Sequence, residues 1–131
     1  IPKININIIS DQPFYINKTE IIPIEVMHHK LSVLGFRINN FAYITDLSFI
    51  SETEKEKLKN LDVLVLDSLR KKEHVSHFNL EQSLSLINEL NPKKSYLTHI
   101  SHLMGREEDV SKELPENVKL AFDGQKIVMK E

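Results

Sequence analysis

Leu61-Asp62-Val63-Leu64-Val65-Leu66 places five apolar side chains in six positions and leaves no polar face. A run this short and this uniformly apolar is the pattern of a strand covered on both faces. Its neighbours read accordingly. Ser51 and Glu54 form a capping box ahead of it, which predicts a helix over 52–60 whose charged interior keeps it on the surface. Behind it, Asn79 and Gln82 can cap a second helix. There Leu80, Leu84 and Ile87 follow at i, i+4 and i+7, and Asn91-Pro92 ends it. Residues 95–98 read as a short strand and 106–113 as a helix that stops before Pro115. Residues 118–122 and 125–129 read as a hairpin turning at Asp123-Gly124.

Upstream the pattern is antiparallel. Isoleucine alternates with polar residues over 3–9, as in a half-buried strand, and Ser10-Asp11-Gln12-Pro13 is a turn. Residues 20–27 read as a strand that Pro23 assigns to an edge or a bulge. The apolar runs 33–38 and 41–45 join through Asn39-Asn40, a pair that tolerates the positive φ of a tight hairpin. The expected class is α/β (α+β): an antiparallel region followed by β-α-β-α-β, forming a mixed sheet with helices on at least one face.

Composition narrows the function. The 131 residues carry 17 basic and 19 acidic groups, a net charge of −2, and residues 1–50 hold four of each, so nucleic acid is not an expected partner. An apolar fraction of 40% with 27% charged residues is that of a soluble fold. No apolar run approaches the roughly 20 residues of a membrane span. No membrane association is expected, and the expected location is cytoplasmic. The absence of cysteine excludes disulfides, thiolate zinc sites and cysteine nucleophiles, which leaves six histidines as the informative class.

Four places combine a titratable residue with a strand end: His28-His29, the Asp46 that closes Tyr43-Ile44-Thr45-Asp46, Asp67 with His74 and His77 beyond it, and Thr98-His99-Ile100-Ser101-His102. Ligands favour the carboxyl ends of strands in α/β sheets, and imidazole with carboxylate suits Zn, Mn or Fe(II). Each place also has a plain structural reading, as a turn former, a helix cap or surface polarity. Any ligand set would be scattered in sequence and gathered only by the fold.

Taken in order, several blocks resemble metallo-β-lactamase-fold hydrolases. They are Val26-Met27-His28, Leu34-Gly35-Phe36-Arg37-Ile38, Tyr43-Ile44-Thr45-Asp46, Leu64-Val65-Leu66-Asp67, Ser76-His77-Phe78-Asn79-Leu80, Leu97-Thr98-His99-Ile100-Ser101-His102, and Leu114-Pro115 with Ala121-Phe122-Asp123-Gly124. Within that fold the similarity is to the branch of phosphoribosyl cyclic phosphate phosphodiesterase and tRNase Z, over about residues 20–125. The resemblance implies that His28, Asp46 and His99 are metal ligands, with Asp46 bridging two divalent ions (Zn or Mn) and His29 the less favoured alternative to His28. It implies that His77 lies beside the scissile phosphate as a catalytic residue, and that Asp67, His102 and Asp123 orient the groups around it. Arg37 could assist with phosphate, though a solvated strand charge explains it as well.

The family's His-x-His-x-Asp-His loop, which supplies four of its seven ligands, is absent from this sequence. The chain, which opens on Ile1 directly into an alternating pattern, is therefore expected to be the C-terminal half (1–131) of an αββα hydrolase domain. The intact protein is expected to cleave cyclic or small phosphodiesters with hydroxide activated by the two ions. The half alone is expected to be inactive, partly occupied or empty of metal, and to form a homodimer or larger assembly through an exposed sheet face. The competing reading is a non-catalytic α/β interaction domain whose histidines are structural.

Overall fold

A computed structural model describes residues 1–130. Seven strands form one sheet in sequence order: β1 (Phe14–Ile16), β2 (Thr19–His28), β3 (Leu31–Ile38), β4 (Phe41–Ile44), β5 (Val63–Asp67), β6 (Lys94–Thr98) and β7 (Val118–Leu120). Strands β1 to β4 are antiparallel and joined by two-residue turns, whereas β4 to β7 are parallel. The parallel part is reached through α1 (Glu52–Glu56), α2 (Leu80–Leu90) and α3 (Glu107–Glu113). This is the mixed α/β sheet expected from the sequence. Among the described residues no helix is long and apolar enough to cross a membrane.

The core lies on one face. Ile24, Val26, Ala42, Ile44, Leu64, Leu66 and Leu97 point into a cluster completed by Leu80, Leu86 and Ile87 of α2, Val110 of α3, and Leu58 beyond α1. Every sheet residue in it has the same strand parity, so the helices occupy one side. The opposite parity carries Val63 and Val65 flanked by Phe36, Tyr43 and Tyr96. Among the described residues no helix lies on that apolar face; Val63 and Val65 are buried between their neighbours, and Tyr43 there is 44% exposed.

The Pro23 expectation holds in detail. On β2 the odd residues aim their N–H groups away from β3. Glu25 N donates to Glu54 Oε2 (2.9 Å) and Met27 N to Phe49 O (2.9 Å). Pro23 shares that parity, so its missing donor falls on the edge that α1 and residues 48–49 cover. Gly35 has a packing reason of its own. A Cβ there would lie 2.9 Å from Tyr43 O and 3.2 Å from Ile44 Cα, backbone atoms that move only with β4. Gly35→Ala is expected to lower stability by about 2 kcal/mol, the usual cost of overpacking, measured by urea denaturation.

Four expectations need correction. Residues 3–9 form no strand and lie exposed, because the described sheet ends at β1 and offers that alternating segment no ladder. The helix expected over 52–60 stops at Glu56. Ser51 Oγ caps Glu54 N as anticipated, but the Glu54 carboxylate goes to Glu25 N and Lys57 rather than back to the cap. Asn60, at φ 59°, then reverses the chain. The hairpin at the C-terminus does not close: β7 ends at Leu120, Asp123-Gly124 turns, and 125–130 leaves the sheet. Arg37 is neither a solvated charge nor near phosphate chemistry. It is half-buried, which lowers its pKa, and its guanidinium donates to the carbonyls of Asn39 (2.7 Å), Lys57 (2.8 Å) and Lys59 (2.6 Å), tying the turn after α1 to the sheet.

Candidate metal centre at the carboxyl ends of the strands

Seven non-glycine residues of the described chain have positive φ. Four are asparagines, the residue that tolerates this region best: Asn17 and Asn39 turn hairpins, Asn60 ends the turn after α1, and Asn91 caps α2. The other three are His29 (54°), Asp46 (61°) and His99 (57°). His29 does a turn's work. It occupies the hairpin position that asparagine fills in the other two hairpins, its N–H donates to Ser48 Oγ (2.9 Å), and it is exposed. Asp46 and His99 have no hairpin to turn. They follow the parallel strands β4 and β6, and left-handed backbone at a non-glycine residue is the kind of strain that a folded site holds in place, at about 1 kcal/mol or more each. The result is convergence: Asp46 Oδ1 lies 3.5 Å from His99 Nε2.

His28, the last residue of β2, enters from the other side. Its Nδ1 lies 3.0 Å from Ser76 O, a carbonyl that can only accept, so Nδ1 carries the proton and Nε2 keeps a free lone pair. His77, in the loop between β5 and α2, sits at the centre. Its ring is edge-on to His28 (centroids 4.6 Å apart) and stacked on His99 (4.7 Å), and its Nδ1 is 3.8 Å from Asp46 Oδ1.

Asp67, fully buried at the end of β5, holds His77. Its Oδ2 lies 3.0 Å from His77 Nδ1 and also accepts the Leu47 N–H (3.2 Å), while its Oδ1 has no partner. Burial pushes the Asp67 carboxyl above its ordinary pKa, and the His77 imidazole opposes the shift.

The ligand atoms of His28, Asp46 and His77 lie within 4.8 Å of one another, as do those of Asp67, His77 and His99. Five of the residues singled out in the sequence therefore meet, with His77 common to both triads. His102, exposed at the start of a short 3-10 turn, and Asp123, in the exposed turn after β7, do not join them. Neither makes a hydrogen bond or ion pair to the cluster among the described residues. The backbone partners were not foreseeable: nothing in the sequence marks the Ser76 carbonyl or the Leu47 amide. His74, whose ring lies 5.3 Å from His77, was visible only as part of a His-x-x-His spacing. Imidazole and carboxylate donors at these distances suit a borderline divalent cation.

The sequence profile of the Beta-lactamase superfamily domain matches residues 2–100. A diphosphatase of the PhnP family is 35% identical with a TM-score of 0.90, over 93% of this chain and 48% of that one. The short form of human tRNase Z superimposes with a TM-score of 0.67 at 19% identity, over 90% of this chain and 46% of that one. A protein named octanoyltransferase from Porphyromonas gingivalis is 32% identical over 122 residues, which are 92% of this chain and 25% of that protein. The chain thus spans about half the length of the solved structures it matches and a quarter of that curated relative. On this profile match, and on a fold shared with metallo-β-lactamase-fold hydrolases, the chain belongs to the beta-lactamase superfamily, a superfamily of metal-dependent hydrolases.

Proposed function

We propose that this chain supplies one side of a two-metal centre that hydrolyses cyclic or other small phosphodiesters. The observation that carries the reading is the convergence of His28, Asp46, His77 and His99, with left-handed backbone at Asp46 and His99. The similarity to a PhnP-family diphosphatase supports a phosphorus-centred reaction. His28, Asp46 and His99 would be the ligands from this chain, with Asp46 shared between the ions, and their donor types fit Zn or Mn. Two such ions, when bound, supply a water deprotonated near neutral pH and offset charge on the phosphoryl oxygens.

The rest falls to the protein. Ser76 O fixes the His28 tautomer and so leaves Nε2 with the lone pair a metal needs. Asp67 accepts a hydrogen bond from the Nδ1–H of His77, which leaves Nε2 to meet a substrate oxygen and, when protonated, to give its proton to the leaving group. The buried carboxylate stabilises the imidazolium that this step requires.

Three ligands divided between two ions leave each with about two donors, fewer than the three or more of catalytic sites. The 131-residue chain by itself is therefore proposed to be inactive. Its helix-free face, with Val63, Val65, Phe36, Tyr43 and Tyr96, is proposed to pair with that of a second copy. Gel filtration should show a dimer or larger species, and a clean monomer at micromolar concentration would refute that pairing.

The function is tested on the full-length gene product by metal analysis and by hydrolysis of bis(p-nitrophenyl) phosphate. About two ions per chain with metal-dependent cleavage supports it, and a metal-free protein points to a non-catalytic domain. Cleavage of a thioester or lactam instead keeps the site and discards the substrate.

A further inference from the structure

His74 is the one histidine beside the cluster that neither triad uses, and its surroundings fix its chemistry. Its Nδ1 lies 3.1 Å from Ser76 N, and a backbone N–H can only donate, so Nδ1 is the unprotonated nitrogen and the proton resides on Nε2. The backbone of one residue thus orients two imidazoles in opposite senses: Ser76 O leaves His28 with a free Nε2 lone pair, and Ser76 N leaves His74 with a free Nε2–H.

The loop carrying His74 is anchored from within. Arg70 donates to the carbonyls of Lys72 (3.2 Å) and Glu73 (2.7 Å), and Leu80 N donates to Arg70 O (2.9 Å). Partial burial, with Arg70 and His77 nearby, lowers the His74 pKa, which favours the neutral ring. Accepting an N–H two residues on is work that Asn, Asp or Ser does in other turns. The imidazole adds reach: it carries its Nε2–H at the far end of a half-buried side chain whose ring is 5.3 Å from that of His77, and that N–H makes no hydrogen bond among the described residues.

We infer that His74 is a substrate-contact residue whose Nε2–H donates a hydrogen bond to an oxygen of the phosphodiester, on the part of the substrate that lies beyond His77. This rests on the phosphodiesterase reading above. It gives His74 a role in binding rather than in bond cleavage, so its loss moves KM more than kcat.

The test uses two variants that separate the two ends of the ring. His74→Asn keeps an acceptor for Ser76 N and loses the distant donor. His74→Gln places an amide N–H near the Nε2 position and loses the acceptor. With full-length, metal-loaded protein and bis(p-nitrophenyl) phosphate, His74→Asn should raise KM about tenfold or more, the scale of one lost hydrogen bond to a charged group. Its kcat and metal content should stay within about twofold, and His74→Gln should recover most of the KM. In the 131-residue chain, long-range proton–nitrogen NMR should show His74 as the Nε2–H tautomer.

Wild-type KM in His74→Asn, or an Nδ1–H tautomer, overturns the role of His74 while leaving the phosphodiesterase reading intact. Loss of metal in His74→Asn also overturns it, in favour of a ligand. Wild-type protein that binds metal yet cleaves no phosphodiester overturns both.

Discussion

Asp46→Asn in the full-length protein is expected to abolish metal-dependent phosphodiester cleavage, by at least about 100-fold, with the fold intact. Loss of even an outer partner weakens a metal site by roughly 10- to 100-fold, and Asp46 is the proposed shared ligand. The substitution is chosen for the backbone. Asp46 sits at φ 61°, where Asn is as comfortable as Asp, so the backbone is kept while the negative charge and one acceptor oxygen are removed. Alanine there would add a conformational cost and blur the reading. Metal content and turnover should fall together while the thermal transition of the apo protein moves little. An Asp46→Asn protein with wild-type metal and turnover would remove Asp46 from the site.

Asp67→Asn is expected to act in two directions at once. The Asp67 carboxyl is buried, its Oδ1 is unpaired, and its pKa is raised in the folded state, so the ionised form is disfavoured on folding. Between the unfolded pKa of about 3.9 and the higher folded one, the native state binds more protons than the unfolded state. Stability from this group is therefore fully present below about pH 3.9 and falls as pH rises through the native pKa. An amide at position 67 has no such titration and can still accept from Leu47 N. The metal-free variant should thus be more stable than wild type at neutral pH and should lack that part of the pH dependence. Function should move the other way. With the amide oxygen held at the Oδ2 position by Leu47 N, His77 keeps its acceptor at Nδ1 but loses the negative charge that stabilises its imidazolium, so turnover should drop by roughly 10- to 100-fold. Urea titrations at several pH values, read beside steady-state kinetics, check both halves. A variant that loses stability at pH 7, or keeps full turnover, would contradict the account of Asp67.

Much of this architecture was legible in the chain because it is written in local rules. Asn79 and Gln82 form a reciprocal capping box, Asn39 turns a hairpin, and 61–66 reads as a strand that proves central, buried at every position from Val63 to Asp67. The misreadings share a cause. Residues 3–9 and 125–129 have strand alternation, but a strand also needs a neighbour, and that is decided by the rest of the sheet. The helix expected over 52–60 ends early where the Arg37 guanidinium takes the carbonyls of Lys57 and Lys59 and Asn60 turns left-handed, a tertiary contact that no local pattern records.

At the site, His28, Asp46, Asp67, His77 and His99 could be singled out because each ends or follows an apolar strand. Their mutual placement could not. It depends on left-handed backbone at Asp46 and His99, and on backbone atoms of Ser76 and Leu47 that serve as hydrogen-bond partners. Hence His77, read from sequence as a neighbour of the site, stands at its centre.

The central claim is that one spot beside Asp46 is a two-ion site. Anomalous diffraction at the zinc and manganese edges, from crystals of the full-length protein grown with each metal, tests it most directly. The account requires two peaks a few ångströms apart, one bonded to His28 Nε2 and one to His99, with the Asp46 carboxylate reaching both. Peaks only elsewhere on the molecule, or a metal-replete crystal in which these three side chains carry no density for an ion, would contradict it.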